Sequence, residues 1–141
     1  MTENEITEII IGCAIKVHKV LGSGLLESAY EECLFYELSQ TNLSIEKQKP
    51  LPLIYESVRL ECGYRADFVV ENKVVIEIKS VESLNDIHLA QTLTYLKLSN
   101  CSVGLLINFN VLKLTQGLKR LVNNYKSSAA LSDNSVSYAV K

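Results

Sequence analysis

The chain has 141 residues, 48% of them hydrophobic and 21% charged, with a net charge of −2. That length suits one domain with a real core, and the balance excludes disorder and any strong global attraction to nucleic acid. The charge is uneven, however: residues 1–61 carry 5 basic and 10 acidic groups, residues 62–141 carry 9 and 6.

Ile6, Ile9, Ile10, Cys13, Ala14, Val17 and Leu21 recur at helical spacing, which predicts a helix over 3–21 ended by Gly22-Ser23-Gly24. A second helix is expected over 25–39, with Leu26, Ala29, Cys33 and Leu34 on its apolar side. Residues 43–55 read as a strand broken by Pro50 and Pro52, hence an edge strand or a bulge. Two further strands follow over 58–70 and 74–79. Asn85 can cap a third helix over 86–98, with Asp86 favourable in its first turn. Ser102 to Asn108 reads as a buried strand, and a last helix is expected over 115–125. Residues 126–141, rich in Ser and Ala and without a clear period, are expected to be a mobile tail beyond a single domain of 1–125.

This order places three sequential strands in antiparallel pairing, after which a crossover helix adds a strand parallel to its neighbour. The fold class is therefore α/β (α+β): a mixed sheet flanked by helices. Cys13, Cys33, Cys62 and Cys101 form no C-x-x-C pair, so reduced thiols and no zinc site are expected. Residues 1–5 lack early basic groups and no apolar run is long enough for a span, which points to a reduced cytoplasmic protein with no membrane partner. Lys113, Lys119, Arg120 and Lys126 read as a solvated helix face.

Residues 65–80 carry the chemistry. With Glu71-Asn72-Lys73 as a turn, Val70 faces Val74, Phe68 faces Ile76 and Ala66 faces Ile78, an apolar face that a one-residue slip would destroy. The same register sets Asp67 opposite Glu77 and Arg65 opposite Lys79 on the other face. Two carboxylates about 4 Å apart repel by roughly 4 kcal/mol at an effective dielectric near 20. A shared proton or a divalent cation relieves that, and oxygen-only ligands favour Mg²⁺ or Mn²⁺. Lys79 shares the face and could orient a water or offset charge on a phosphoryl transition state. A solvated sheet face with a salt-bridged Glu–Lys pair fits the same spacing.

Other residues could join them. Glu27 and Tyr30 share a face at the start of the second helix, where an acid also simply stabilises the helix end. His88, Gln91 and Tyr95 form one polar stripe of the third helix, opposite Leu89, Leu93 and Leu96. That stripe suits a phosphate and a base, or nothing but solvent. His18, beside Lys19, reads as a packing histidine. Ser-His-Asp ordering, a phosphate loop and a dinucleotide glycine pattern are all absent.

In combination, several ordered segments resemble the GxxExxY protein family, a branch of the PD-(D/E)XK nuclease superfamily. They are Ile15-Lys-Val-His18-Lys-Val-Leu-Gly22, Gly24-Leu-Leu-Glu27-Ser-Ala-Tyr30, Gly63-Tyr-Arg-Ala-Asp67-Phe, Ile76-Glu77-Ile-Lys79-Ser, Ile87-His-Leu-Ala-Gln91-Thr-Leu-Thr-Tyr95-Leu and Gly104-Leu-Leu-Ile-Asn-Phe-Asn. The likeness covers roughly residues 5–124. It implies a restriction-endonuclease-like αβββαβ core with an extra N-terminal and a C-terminal helix. It also implies a metal at Asp67, Glu77, Glu27 and the Ile78 carbonyl, Lys79 beside the attacking water, and substrate binding by Gln91, Tyr95, Tyr30 and His88. Ala66 stands where the superfamily name has Pro.

The expected activity is a Mg²⁺- or Mn²⁺-dependent nuclease acting on nucleic acid, DNA before RNA. The alternative is a non-catalytic nucleic-acid- or partner-binding module that keeps the nuclease fold. A homodimer stays open.

Overall fold

Thr2 caps the first helix, α1 (Glu3–Leu21), by accepting from the Glu5 amide while the Glu5 carboxylate accepts from the Thr2 amide. This reciprocal pair satisfies two of the donors a helix start leaves open. Ile6, Ile10, Ala14 and Val17 make its buried stripe. Gly22 ends it at φ +70°, a conformation for which glycine is suited. The structure is a computed structural model that describes residues 1–123 and, as backbone, 136–140.

Helix α2 (Glu27–Ser39) starts two residues later than the pattern suggests, and its buried stripe is Tyr30, Leu34 and Leu38. Leu26, expected on the apolar side, is the N-cap residue and is exposed. Strands β1 (Ile45–Pro50), β2 (Leu53–Tyr55), β3 (Val58–Leu60), β4 (Arg65–Val70) and β5 (Val74–Lys79) follow. Helix α3 (Asp86–Ser99), capped by Asn85, crosses over to β6 (Val103–Asn108). A short 3-10 turn (Leu114–Gly117) leads into β7 (Leu118–Asn123), and β8 is Val136–Val140.

The main sheet runs β1-β4-β5-β6-β7-β8, mixed because β5 and β6 are parallel and the other pairs antiparallel. Both of its faces are covered, as a sheet with a parallel pair requires. On one face α1 and α2 pack over Phe68, Val70, Ile76, Ile78 and Ile107. On the other, α3 packs over Val69, Val75, Leu106 and Leu121. A Cβ on Gly104 would sit 2.9 Å from the Leu96 side chain, so the bare backbone at β6 is what lets α3 approach so closely. This is a mixed α/β fold with a helix-flanked sheet, consistent with a restriction-endonuclease-like architecture.

Two expectations change. Residues 58–70 are not one strand: the chain breaks around Gly63 (φ +83°), and β2 and β3 form a separate two-stranded ribbon. Its base is closed by the Leu51 amide donating to the Tyr64 carbonyl. The antiparallel run at the β1 side of the main sheet is therefore β1, β4 and β5.

The last helix shrinks to the 3-10 turn, because residues 118–123 form strand β7 along the edge of β6. Leu114, Leu118 and Leu121 mimic helical spacing. As a strand, the odd separation sends Leu118 to the α1 side and Leu121 to the α3 side, and both are buried. Lys119 and Arg120 thus lie on a strand, with Arg120 donating to Asn4.

The tail expected over 126–141 lies outside the described residues except for Val136–Val140, whose backbone pairs antiparallel with β7. The four thiols are free, with Cys101 buried and Cys62 exposed. Among the described residues, no helix is long and apolar enough to cross a membrane.

Candidate active site

The register deduced from hydrophobic alternation is present at the turn end of the β4–β5 hairpin: Val70 opposite Val74, Val69 opposite Val75, Phe68 opposite Ile76. Glu71 and Asn72 take the left-handed conformation that tight hairpin turns use. Beyond Phe68 and Ile76 the ladder stops, so Ala66 with Ile78 and Arg65 with Lys79 do not pair. Ala66 packs instead in the α3-side cluster with Leu51.

Carboxylates bridge the opening. The Asp67 amide donates to Glu77 Oε2 at 2.7 Å, and the Ile78 amide donates to Asp67 Oδ2 at 2.8 Å. Each acid replaces a ladder bond for the opposite strand, so both stand at one spot. A buried amide deprived of its ladder partner must find another acceptor, and the two side chains supply it.

The electrostatics follow from that crowding. Glu77 is only 4% exposed, and its carboxyl is pushed up to about 9, first by burial and then by the negative charge of Asp67. The Asp67 amide and Lys79 act in the opposite direction. Burial also raises Asp67, against the Ile78 amide, Gln48 and Lys79. Burial and mutual repulsion thus favour a proton retained between the two acids.

Lys79 leaves the same face of β5, two residues beyond Glu77, and its Nζ donates to Gln91 Oε1 at 3.5 Å. The Gln91 amide donates to the Tyr95 hydroxyl at 3.2 Å. Tyr95 is not on a solvated stripe: it is buried, with its ring edge-on to Tyr64 at the base of the ribbon. Burial raises its phenol, and the charges of Glu77 and Asp67 act in the same direction. His88 has a structural use, since its Nδ1 accepts from the Asn85 amide and completes the cap of α3.

Glu27 opens α2 and reaches solvent. Partial burial raises its carboxyl, the charges of Lys79 and His88 lower it, and Asp67 raises it, so it lies within their electrostatic reach. The loop before it is pinned to the sheet: the Gly24 amide donates to Asn110 Oδ1 and the Ser80 hydroxyl donates to the Leu25 carbonyl. Asn108 and Asn110 in turn hold the Val81 carbonyl.

Tyr30 is a correction. Expected to meet substrate, it is fully buried and stacked on Phe109 at 4.6 Å. Its hydroxyl donates to the Gly22 carbonyl at 2.6 Å and accepts from the Leu25 amide at 3.2 Å. It therefore shapes the loop that presents Glu27. His18 is buried with Nε2 against the Val111 carbonyl, a packing histidine as expected.

Sequence reasoning missed Gln48 and Glu31. Gln48 Nε2 donates to Asp67 Oδ1 at 3.1 Å and lies 3.0 Å from both carboxylate oxygens of Glu31. Glu31 was findable, because it follows Glu27 by one helical turn on the same face. Gln48 carries no such signal. It sits between two lysines in an edge strand, and its reach depends on a φ of +52° that its residue type does not announce.

The donor set is oxygen only, and the buried Glu77 crowded against the half-buried Asp67 is what a hard divalent cation would offset, so Mg²⁺ or Mn²⁺ fits the chemistry. Among the described residues, no group of three or more His, Cys, Asp or Glu side chains is gathered tightly enough to hold a metal by itself. Asp67 and Glu77 would need Glu27, the Ile78 carbonyl or solvent to complete a shell.

A model of the PD-(D/E)XK nuclease superfamily matches residues 4–121. No curated protein and no solved structure matches the chain.

Proposed function

Since the chain belongs to the PD-(D/E)XK nuclease superfamily, we propose that it hydrolyses phosphodiester bonds of nucleic acid, DNA before RNA, with Mg²⁺ or Mn²⁺. The observation that carries this reading is the reciprocal Asp67–Glu77 arrangement, which brings the buried Glu77 and the half-buried Asp67 to one spot on the strand pair that carries Lys79. Asp67 and Glu77, with Glu27 and the Ile78 carbonyl, would hold the cation. When bound, it supplies Lewis-acid polarisation of the phosphate and a lowered pKa for a coordinated water.

The protein's own groups do the rest. Lys79 places a positive charge beside the acids, where it offsets negative charge building on the phosphoryl oxygens and orients the attacking water. Gln91 holds the Lys79 ammonium from the α3 side, and Tyr95 holds Gln91. Tyr30 and the Gly22–Leu25 loop set the position of Glu27, the part of the GxxExxY pattern that bears on the chemistry. The compartment we assign is the reducing cytoplasm, in keeping with four free thiols.

Purified protein incubated with labelled single- and double-stranded DNA and RNA, with and without Mn²⁺, tests the proposal. Cation-dependent cleavage lost in both Asp67→Asn and Lys79→Ala supports it. Cleavage that survives both substitutions overturns it.

The net charge of −2 favours one other reading, a nuclease fold kept as a binding module. Nucleic acid bound equally well with and without Mn²⁺, and never cut, would decide for that.

A further inference from the structure

Resting on the cation-dependent reading above, we propose that Gln48 is a positioning residue for the Asp67 carboxylate, held in that task by Glu31. In β1 the rungs Lys47 with Phe68 and Lys49 with Ala66 bracket a position where Gln48 faces Asp67. There the backbone turns to φ +52°, which glycine adopts freely and L side chains rarely adopt. A strained residue one strand away from paired acids is a recurrent mark of a site whose geometry matters more than local comfort.

The side chain accounts for the strain. Gln48 Nε2 stands between two acids, 3.1 Å from Asp67 Oδ1 and 3.0 Å from each Glu31 oxygen. An amide has a donor end and an acceptor end, and between two carboxylates only the donor end is tolerated. Glu31 thereby fixes which way the amide points.

With Gln48 on Oδ1 and the Ile78 amide on Oδ2, both oxygens of Asp67 are clamped and its carboxylate plane cannot rotate. One lone-pair direction per oxygen is left for a ligand. The donor is also neutral. Lys47 and Lys49, its strand neighbours, are engaged by Glu32 and Glu46. No lysine at position 48 competes with a cation for Asp67. Because Glu31 lies one turn beyond Glu27 on α2, the same amide ties the helix that carries Glu27 to the strand that carries Asp67.

Gln48→Gly separates this role from a merely structural one, because glycine suits φ +52° and the variant should melt at or above the parent temperature. We expect it to bind Mn²⁺ about 10–100-fold more weakly by calorimetry, with kcat reduced and KM unchanged. Glu31→Gln should give a smaller loss, and adding it to Gln48→Gly should cost nothing further. In metal-free protein, the Gln48 side-chain NH₂ resonances should shift in Asp67→Asn and in Glu31→Gln.

Parent-like Mn²⁺ affinity in Gln48→Gly, while Asp67→Asn loses it, overturns the role of Gln48 and leaves the metal site standing. If neither variant alters Mn²⁺ affinity, the metal reading fails, and the NMR measurement decides the network by itself. Resonances that move retain Gln48 as the clamp of Asp67; resonances that stay put overturn it.

Discussion

Asp67 and Glu77 each accept a hydrogen bond from the other's strand, Glu77 Oε2 from the Asp67 amide and Asp67 Oδ2 from the Ile78 amide. Two acids that would repel in an ordinary cross-strand pair are thus built into the backbone bonding of the sheet. Removing either one leaves a buried amide without its acceptor as well as changing the charge.

The charge of Glu77 should be visible in metal-free stability. Its folded value, near 9, lies above the ordinary 4.5, so the folded state holds a proton that the unfolded state releases. That contribution to stability is fully present below about pH 4.5 and is lost as pH rises toward 9. Urea unfolding at pH 5 and 8.5 should show the decline. Glu77→Gln should flatten it and exceed the parent at pH 8.5, and Mn²⁺ should flatten it in the parent.

Tyr30→Phe should destabilise the protein by about 1–3 kcal/mol, since it strands the Gly22 carbonyl and the Leu25 amide while the ring still stacks on Phe109. Chemical denaturation should show a lower midpoint with an unchanged slope. A loss of substrate affinity at full stability would instead return Tyr30 to a contact role.

Gly117→Ala should be among the most damaging single methyl additions. The new Cβ would lie 2.2 Å from the Asn108 carbonyl oxygen, which is backbone and cannot swing away. A cost of about 2–3 kcal/mol or more is expected, through displacement of the β6 end. Thermal melts measure it. Gly104→Ala, whose clash is with the movable tip of Leu96, should cost less.

Gln91→Leu should lower kcat by up to about 100-fold and leave Mn²⁺ affinity unchanged, because it removes the acceptor that holds Lys79 without touching the acids. Calorimetry and single-turnover cleavage together read this. A fall in Mn²⁺ affinity would mean Gln91 serves the acids directly.

The acid pair was legible because strand alternation admits one register, and any slip would mix Phe68 and Val70 with charged residues. The opening of that hairpin was not. It results from side chains outcompeting the ladder for two amides, and spacing carries no trace of such a contest. The polar stripe of α3 was half right: Gln91 is exposed and tied to Lys79, while Tyr95 turns inward.

Taken by itself, the order of residues determined the two capped helices α1 and α3, the β4–β5 turn and which charged groups share a strand face, because caps, turns and alternation act over a few residues. Whether 118–123 became helix or strand was decided by the unpaired edge of β6, and whether Gln48 met Asp67 by the pairing of β1 against β4. Those outcomes depend on partners far along the chain. Backbone donors and buried faces must be satisfied by whatever the whole fold brings near, and local propensity gives way to that demand.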